Sequence, residues 1–192
     1  MSPRKRLDKP AVIQAAADLL NREGPDALTL AHLAETLGIQ TPSLYNHIGG
    51  LAGLHRELNL LSVRELGERM ANAALGVSGA EAVRRAAQAY RAYIKENTGV
   101  YLTGLRSSAY LSPPDPELDL AQNRTLQVAL AVIASFGLPP DDALHAVRGL
   151  RALIHGFALL EVGGGFGLPI DCDESFRRLL EMYIGSLRDV AH

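Results

Sequence analysis

The sequence predicts an all-α fold of about nine helices, because apolar residues recur at three- and four-residue spacing along nearly its whole length. No stretch alternates at strand period with β-branched residues. Helix-breaking punctuation separates the periodic runs, at Gly24-Pro25, Gly49-Gly50, Pro113-Pro114 with Pro116, and Gly137-Leu138-Pro139-Pro140.

The elements follow in order. A first helix runs from Lys9 to Glu23, with Val12, Ala15, Ala16, Leu19 and Leu20 in one stripe and Gly24-Pro25 as its stop. Thr29 caps a short second helix that reaches Leu37 and stops at Gly38. The third begins near Thr41-Pro42, where proline suits the first turn, and Gly49-Gly50 closes it. A long helix is expected from Leu51 to about Leu75, and the capping-box spacing of Ser78 and Glu81 starts the next. Beyond the proline break a helix spans about Glu117 to Phe136. Two more follow, Asp141 to about Val162 and Asp173 to about Val190, joined by the loop from Gly163 to Pro169.

With 192 residues, 47% of them hydrophobic and 21% charged, the chain is an ordered globular protein of one generous domain or two small ones. The formal net charge of −2 hides a local asymmetry. Arg4, Lys5, Arg6 and Lys9 face only Asp8 in an N-terminal basic arm, whereas residues 77–192 carry eleven basic and thirteen acidic side chains. One cysteine, Cys172, excludes an internal disulfide framework and suits a reducing cytoplasm. Asp8, Lys9 and Pro10 follow the basic arm where a signal peptide needs an apolar run, and no apolar stretch is long enough to span a membrane.

Residues 28–47, LTLAHLAETLGIQTPSLYNH, carry the functional argument. Leu30, Leu33, Ala34 and Leu37 form one apolar face, Gly38 supplies a turn, Ile39 plugs the angle and Leu44 points inward from the second helix. That is the plan of a helix-turn-helix, whose second helix enters the major groove by its N-terminal end. Thr41, Ser43, Tyr45, Asn46 and His47 offer hydroxyl, amide and imidazole groups suited to base edges and phosphates. Pattern alone also fits an αα-hairpin whose polar residues face water.

The helix ending at Gly24, the stretch ALTLAHLAETLGI and above all TPSLYNHIGGLAGL resemble the DNA-binding domain of the TetR family of transcriptional regulators. The resemblance implies that residues 1–51 are a helix-turn-helix domain and residues 52–192 a helical ligand-binding and dimerisation domain. It places Thr29, Thr41, Pro42, Ser43, Tyr45 and Asn46 at bases or the sugar-phosphate wall, with His47 on a phosphate. It implies a repressor that grips double-stranded operator DNA as a homodimer and lets go when a small organic effector binds. Two departures stand out. Gly49-Gly50-Leu51-Ala52 occupies a stretch where family members often carry a phosphate-gripping lysine, and Ala31-His32 stands where an early basic residue is common. Residues 1–50 hold five basic and five acidic side chains, so Arg4, Lys5 and Arg6, the helix N-termini and Arg56 are expected to supply the phosphate attraction.

LRALIHGFALLEVGGGFGL resembles, more loosely, a TetR-like subgroup with a Trp-His-Gly motif, with Ile154 in place of the tryptophan before His155-Gly156. That resemblance implies a four-helix dimer seam on the last two helices, assigned to Leu150, Ile154, Phe157, Leu160, Leu180, Tyr183, Ile184 and Leu187. The alternative is a pair of helices buried wholly inside the monomer. Effector contacts are assigned to Leu58, Leu61, Leu66, Tyr90, Tyr93, Tyr101, Leu105 and Tyr110, with His155 as a polar contact. Each of these tyrosines also fits a plain core role.

Rival classes find little support. There is no Gly-rich phosphate loop, serine elbow or HExxH pair, and the six histidines are scattered, so no catalytic residue, metal or cofactor is expected. A helical adaptor binding only proteins would need neither the polar face at residues 41–47 nor the basic arm. Deleting residues 1–6 is expected to weaken operator binding and flatten its salt dependence, as read by fluorescence anisotropy over a salt series. Unchanged affinity and slope would make the arm irrelevant.

Overall fold

The computed structural model describes residues 7–108 and 114–190. Arg4, Lys5, Arg6 and Tyr110, assigned above to DNA and effector, lie outside the described residues. Among those described the chain forms nine α-helices and no strand. They are α1 (Lys9–Glu23), α2 (Leu30–Leu37), α3 (Thr41–Leu44), α4 (Gly50–Ala73), α5 (Gly79–Glu96), α6 (Thr98–Ser108), α7 (Pro116–Ile133), α8 (Pro140–Val162) and α9 (Cys172–Val190). The expected elements are present with shifted ends, and the stretch expected to start at Ser78 forms two helices, α5 and α6, that part at Asn97. The third is a single turn, and α7 stops at Ile133 before a 3₁₀ turn over Ala134–Phe136. Glu81 does not complete a capping box; its carboxylate accepts from Arg85 Nε at 2.7 Å, one turn along α5.

The chain divides into two compact units. One runs through Val63 and takes in Asn97–Asp119; the other comprises Arg64–Glu96 and the chain from Leu120 onward. The helix-turn-helix segment expected at residues 1–51 is therefore part of a larger body.

In the first unit Asp8 opens α1 by accepting from Ala11 N at 2.9 Å, and the Gly24 N–H closes it on the Leu20 carbonyl. Val12, Ala16, Leu19 and Leu20 of α1 are buried against Leu33 and Ala34 of α2, Leu44 of α3, and Leu54 and Leu58 of α4. Val100 of α6 joins the same core. Helix α6 reaches α1 because Gly99 has no side chain: a Cβ there would lie 2.1 Å from the Leu20 carbonyl oxygen. Around that contact Asn21 Oδ1 accepts from Val100 N at 3.2 Å, and Asn21 Nδ2 donates to Asn97 Oδ1 at 3.1 Å.

In the second unit α5 packs its Ala82, Val83, Ala86, Ala87 and Tyr90 face inward, and small side chains let a neighbouring helix approach closely. The central polar feature is Arg91, which is buried. Its guanidinium donates to both Glu161 oxygens at 2.7 Å and to Asp173 at 2.7 Å. The rings of Phe157 and Phe176 lie 5.4 and 4.9 Å from its Cζ, in cation–π range. Burial opposes the Arg91 charge, but the bonds to Glu161 and Asp173 outweigh it and raise the pKa. The same bonds hold the Glu161 carboxyl below the usual range. Glu161 also accepts from Lys95 Nζ at 2.6 Å, so this cluster joins two cations to two carboxylates.

Gly99→Ala should force α6 off α1 and cost about 1–3 kcal/mol, as overpacking does elsewhere. Thermal unfolding by circular dichroism would read this as a lowered Tm, and an unchanged Tm would show that the two helices separate without cost.

Candidate DNA-binding surface

The helix-turn-helix is built from three local devices. Thr29 Oγ1 accepts from His32 N at 3.1 Å and starts α2. Gly38 ends it with φ +66°, in the left-handed region that a glycine occupies cheaply, and its N–H bonds back to the Glu35 carbonyl at 3.0 Å. The Ile39 N–H then reaches the Ala34 carbonyl at 3.0 Å, which turns the chain toward α3. Pro42 stands in the first turn of α3, where no backbone donor is needed.

After Leu44 the chain continues as turns instead of helix. Tyr45 N bonds to Pro42 O at 3.3 Å, His47 N to Leu44 O at 2.9 Å, and Ile48 N to Leu44 O at 3.0 Å. Leu44 and Ile48 are buried and anchor this segment. Everything between and before them is displayed: Tyr45 is 61% exposed, Pro42 and Asn46 are exposed, and Thr41, Ser43 and His47 are half-exposed. The six side chains assigned to DNA therefore all reach the surface along one short strip of chain, with Thr29 exposed at the start of α2.

The surrounding charges are largely matched. Arg22 pairs with Glu23 at 2.8 Å, and Lys9 with Glu57 at 2.8 Å. His32 Nδ1 donates to the Ala27 carbonyl at 3.2 Å, with its Nε2 3.5 Å from Glu23. Arg56 corrects the expectation that it grips a phosphate. Its guanidinium donates to Asp115 at 2.9 Å, Glu117 at 2.7 Å and Glu57 at 2.8 Å. Those bonds, Asp115 first, raise its pKa and depress that of Asp115. Three carboxylates already fill the donor fork that a phosphate would need.

The residues assigned to an effector are divided between the two units. Leu58, Leu61, Tyr101 and Leu105 belong to the first; Leu66, Tyr90, Tyr93 and His155 belong to the second. Leu58, Leu66, Tyr90, Tyr93 and Tyr101 are buried, and Leu61, Leu105 and His155 are half-buried. Burial first, then the charge of Arg151, lowers the His155 pKa, so its ring is neutral at pH 7. An open groove of about 530 Å³ in the second unit is lined instead by Gln88, Arg91, Ala92, Lys95, Glu96, Asp173 and Phe176. None of these carries an effector assignment from the sequence.

The dimer assignment needs correction. Leu150, Ile154 and Phe157 of α8, and Leu180, Ile184 and Leu187 of α9, are buried within the subunit. A side chain with no surface left cannot bury more against a second copy. Tyr183 is half-buried with its ring beside Gly149, and its hydroxyl donates to the Ala146 carbonyl. Of the assigned residues only Leu160 is exposed. The outward faces carry His145, Arg148 and Ala152 on α8, and Met182 and Ser186 on α9.

Sequence reasoning passed over three buried polar groups, Asn59, Ser62 and Thr103, and the buried Arg91. The available signal was a polar residue in an otherwise apolar helical stripe.

Comparison with known proteins matches both halves of the chain. A model for bacterial regulatory proteins of the tetR family covers residues 12–58, and one for the tetracyclin repressor-like C-terminal domain covers residues 83–183. The C-terminal match carries that description and not the Trp-His-Gly subgroup expected from the sequence. An uncharacterized HTH-type transcriptional regulator of Bacillus subtilis (strain 168) is 30% identical over 188 residues, 97% of this chain and 96% of that one. The class A tetracycline repressor protein of Escherichia coli is 30% identical over 166 residues, covering 83% and 69% of the two chains. Among solved structures, a protein from Rhodococcus sp. RHA1 superposes with a TM-score of 0.82 at 17% identity, over 98% of this chain and 100% of that one, which shows the shared fold. A TetR variant from Acinetobacter baumannii AYE, in complex with minocycline, has a TM-score of 0.70 at 27% identity, over 97% and 99% of the two chains.

Proposed function

This chain belongs to the tetR family of bacterial helix-turn-helix transcriptional regulators, and we propose that it is a repressor that binds a palindromic operator as a homodimer and is released by a small organic effector. The observation that carries the reading is the strip from Thr41 to His47, held by the buried Leu44 and Ile48 with Tyr45 outermost. Tyr45, Asn46, Ser43 and Thr41 address base edges and the groove wall, Pro42 makes an apolar contact, and His47 and Thr29 take phosphates. Because Lys9, Arg22 and Arg56 are engaged with carboxylates, attraction to DNA rests on the N-terminal arm and on backbone N–H groups at helix starts.

Dimerisation supports function directly, since two recognition helices about one DNA turn apart, roughly 34–36 Å, read two half-sites. The seam uses the outward faces of α8 and α9, at Arg148, Ala152, Met182 and Ser186, while the inward faces stabilise the subunit. The effector reading is supported by relatives that are tetracycline repressors and by the minocycline complex of the Acinetobacter protein.

Selection from a random DNA library should return a palindrome, and Tyr45→Ala should weaken its binding by about tenfold or more, the loss of roughly 1–3 kcal/mol of contact energy. If nothing is enriched at low salt, the regulator reading falls and a protein-binding adaptor takes its place. Ala152→Glu should shift sedimentation from dimer to monomer with the Tm preserved, whereas Leu150→Glu should unfold the subunit. A dimer that survives Ala152→Glu would place the seam elsewhere.

A further inference from the structure

Asn59 stands between Leu58 and Leu60 on α4 and is only 2% exposed. Its Nδ2 has no hydrogen-bond partner among the described residues. Buried side-chain donors are nearly always paired, because an unpaired one loses its hydration with nothing in return. An orphan amide in a core position is therefore a defect in the fold or a contact waiting for a molecule.

Its surroundings favour the second. Gly104 of α6 lies against it: a Cβ on Gly104 would be 3.1 Å from Asn59 Oδ1 and 3.7 Å from Asn59 Cα. With no side chain at that position, the α6 backbone itself comes up against the amide. One residue earlier Thr103 is buried, its hydroxyl donating back to the Gly99 carbonyl at 2.9 Å. Ser62, also buried, lies three residues along α4 from Asn59 and so shares its side of the helix. His55, one turn before Asn59, has its pKa lowered by burial and is neutral at pH 7. The buried polar groups of this unit, Asn59, Ser62 and Thr103, are uncharged, and the nearby cation Arg56 is held by Asp115, Glu117 and Glu57. Among the described side chains of this core an anion would find no free counter-charge, so the chemistry suits a neutral molecule.

We infer that the Asn59 side-chain amide is the hydrogen-bond donor of a binding site between α4 and α6 for a small uncharged organic molecule with a carbonyl acceptor, such as a ketone, lactone or amide. This rests on the reading of the chain as an effector-released regulator. The site lies on the helix whose Leu54 and Leu58 complete the helix-turn-helix core. A molecule seated at Asn59 thus bears on the element that supports α3.

The test uses the full-length chain, ¹⁵N-labelled, with γ-octalactone and cyclohexanone as probes and methylenecyclohexane as the control that lacks an acceptor. The Asn59 side-chain NH₂ resonance is identified by its loss in Asn59→Leu. It should move downfield and saturate with both carbonyl probes, and stay in place with the control. Asn59→Leu should have a Tm at or above that of the parent chain, since an unpaired donor has been removed, yet bind the probes about tenfold more weakly. Gly104→Ala, whose added methyl would press on the Asn59 amide oxygen, should weaken them too, and it serves where Asn59→Leu fails to fold. A resonance unmoved by either carbonyl probe overturns the inference, as does Asn59→Leu with a lowered Tm and unchanged probe affinity. Operator release is followed in parallel by anisotropy. Probes that move Asn59 while DNA stays bound leave the site standing and remove the effector-release reading; release without movement at Asn59 does the reverse.

Discussion

Gly99 rests against the carbonyl of Leu20 at a distance no side chain tolerates, and the first unit is assembled around that contact. It brings the start of α6 onto the end of α1, where Asn21 bonds both Asn97 and the Val100 N–H. The helix-turn-helix core then contains Val100 as well as residues from α1 to α4. The part of the chain that reads DNA is thereby continuous with a segment far along the sequence. Any shift of α6 is felt at α1, since close-packed interiors transmit displacement instead of absorbing it.

Electrostatics within that unit follow from the same closure. Placing the start of α7 beside α4 gives Arg56 two carboxylates, Asp115 and Glu117, in addition to its neighbour Glu57. Two other described basic residues of this unit, Lys9 and Arg22, are matched as well, by Glu57 and Glu23. Non-specific attraction to DNA scales with unmatched phosphate contacts. On the proposed reading, specificity from hydrogen bonding and shape carries a larger share of recognition in this chain than in a strongly basic domain.

The second unit is organised by a buried cation. Arg91 ties α5 to Glu161 near the end of α8 and to Asp173 at the start of α9, and the rings of Phe157 and Phe176 flank it. These links draw the inward stripes of α8 and α9 into the subunit core. What remains outside on these helices mixes His145, Arg148, Ala152 and Ser186 with the exposed Leu144, Leu160 and Met182.

Most of the helices and the whole helix-turn-helix were legible because their causes are local. Periodic apolar residues, Thr29 as a cap, Gly38 as a left-handed stop and Pro42 in a first turn act within a few residues of one another. The ends of α3 and α7 were less legible, because the Tyr45–Ile48 turns and the 3₁₀ segment differ from α-helix by a single register of hydrogen bonding. Asn59 and Arg91 escaped notice because a lone polar residue in an apolar stripe reads as exposed until a neighbour covers it.

By itself the sequence determined an all-helical chain, the helix-turn-helix pattern and membership of a regulator family, since propensity, capping and a dense local motif are properties of contiguous residues. Tertiary structure alone decided which apolar stripe of α8 and α9 turns inward, which carboxylates hold Arg56, and that Asn59 is enclosed with its amide unpaired. Each of these depends on partners far apart in the chain, 59 residues in the case of Arg56 and Asp115, and helical periodicity carries no record of which neighbour packing will supply.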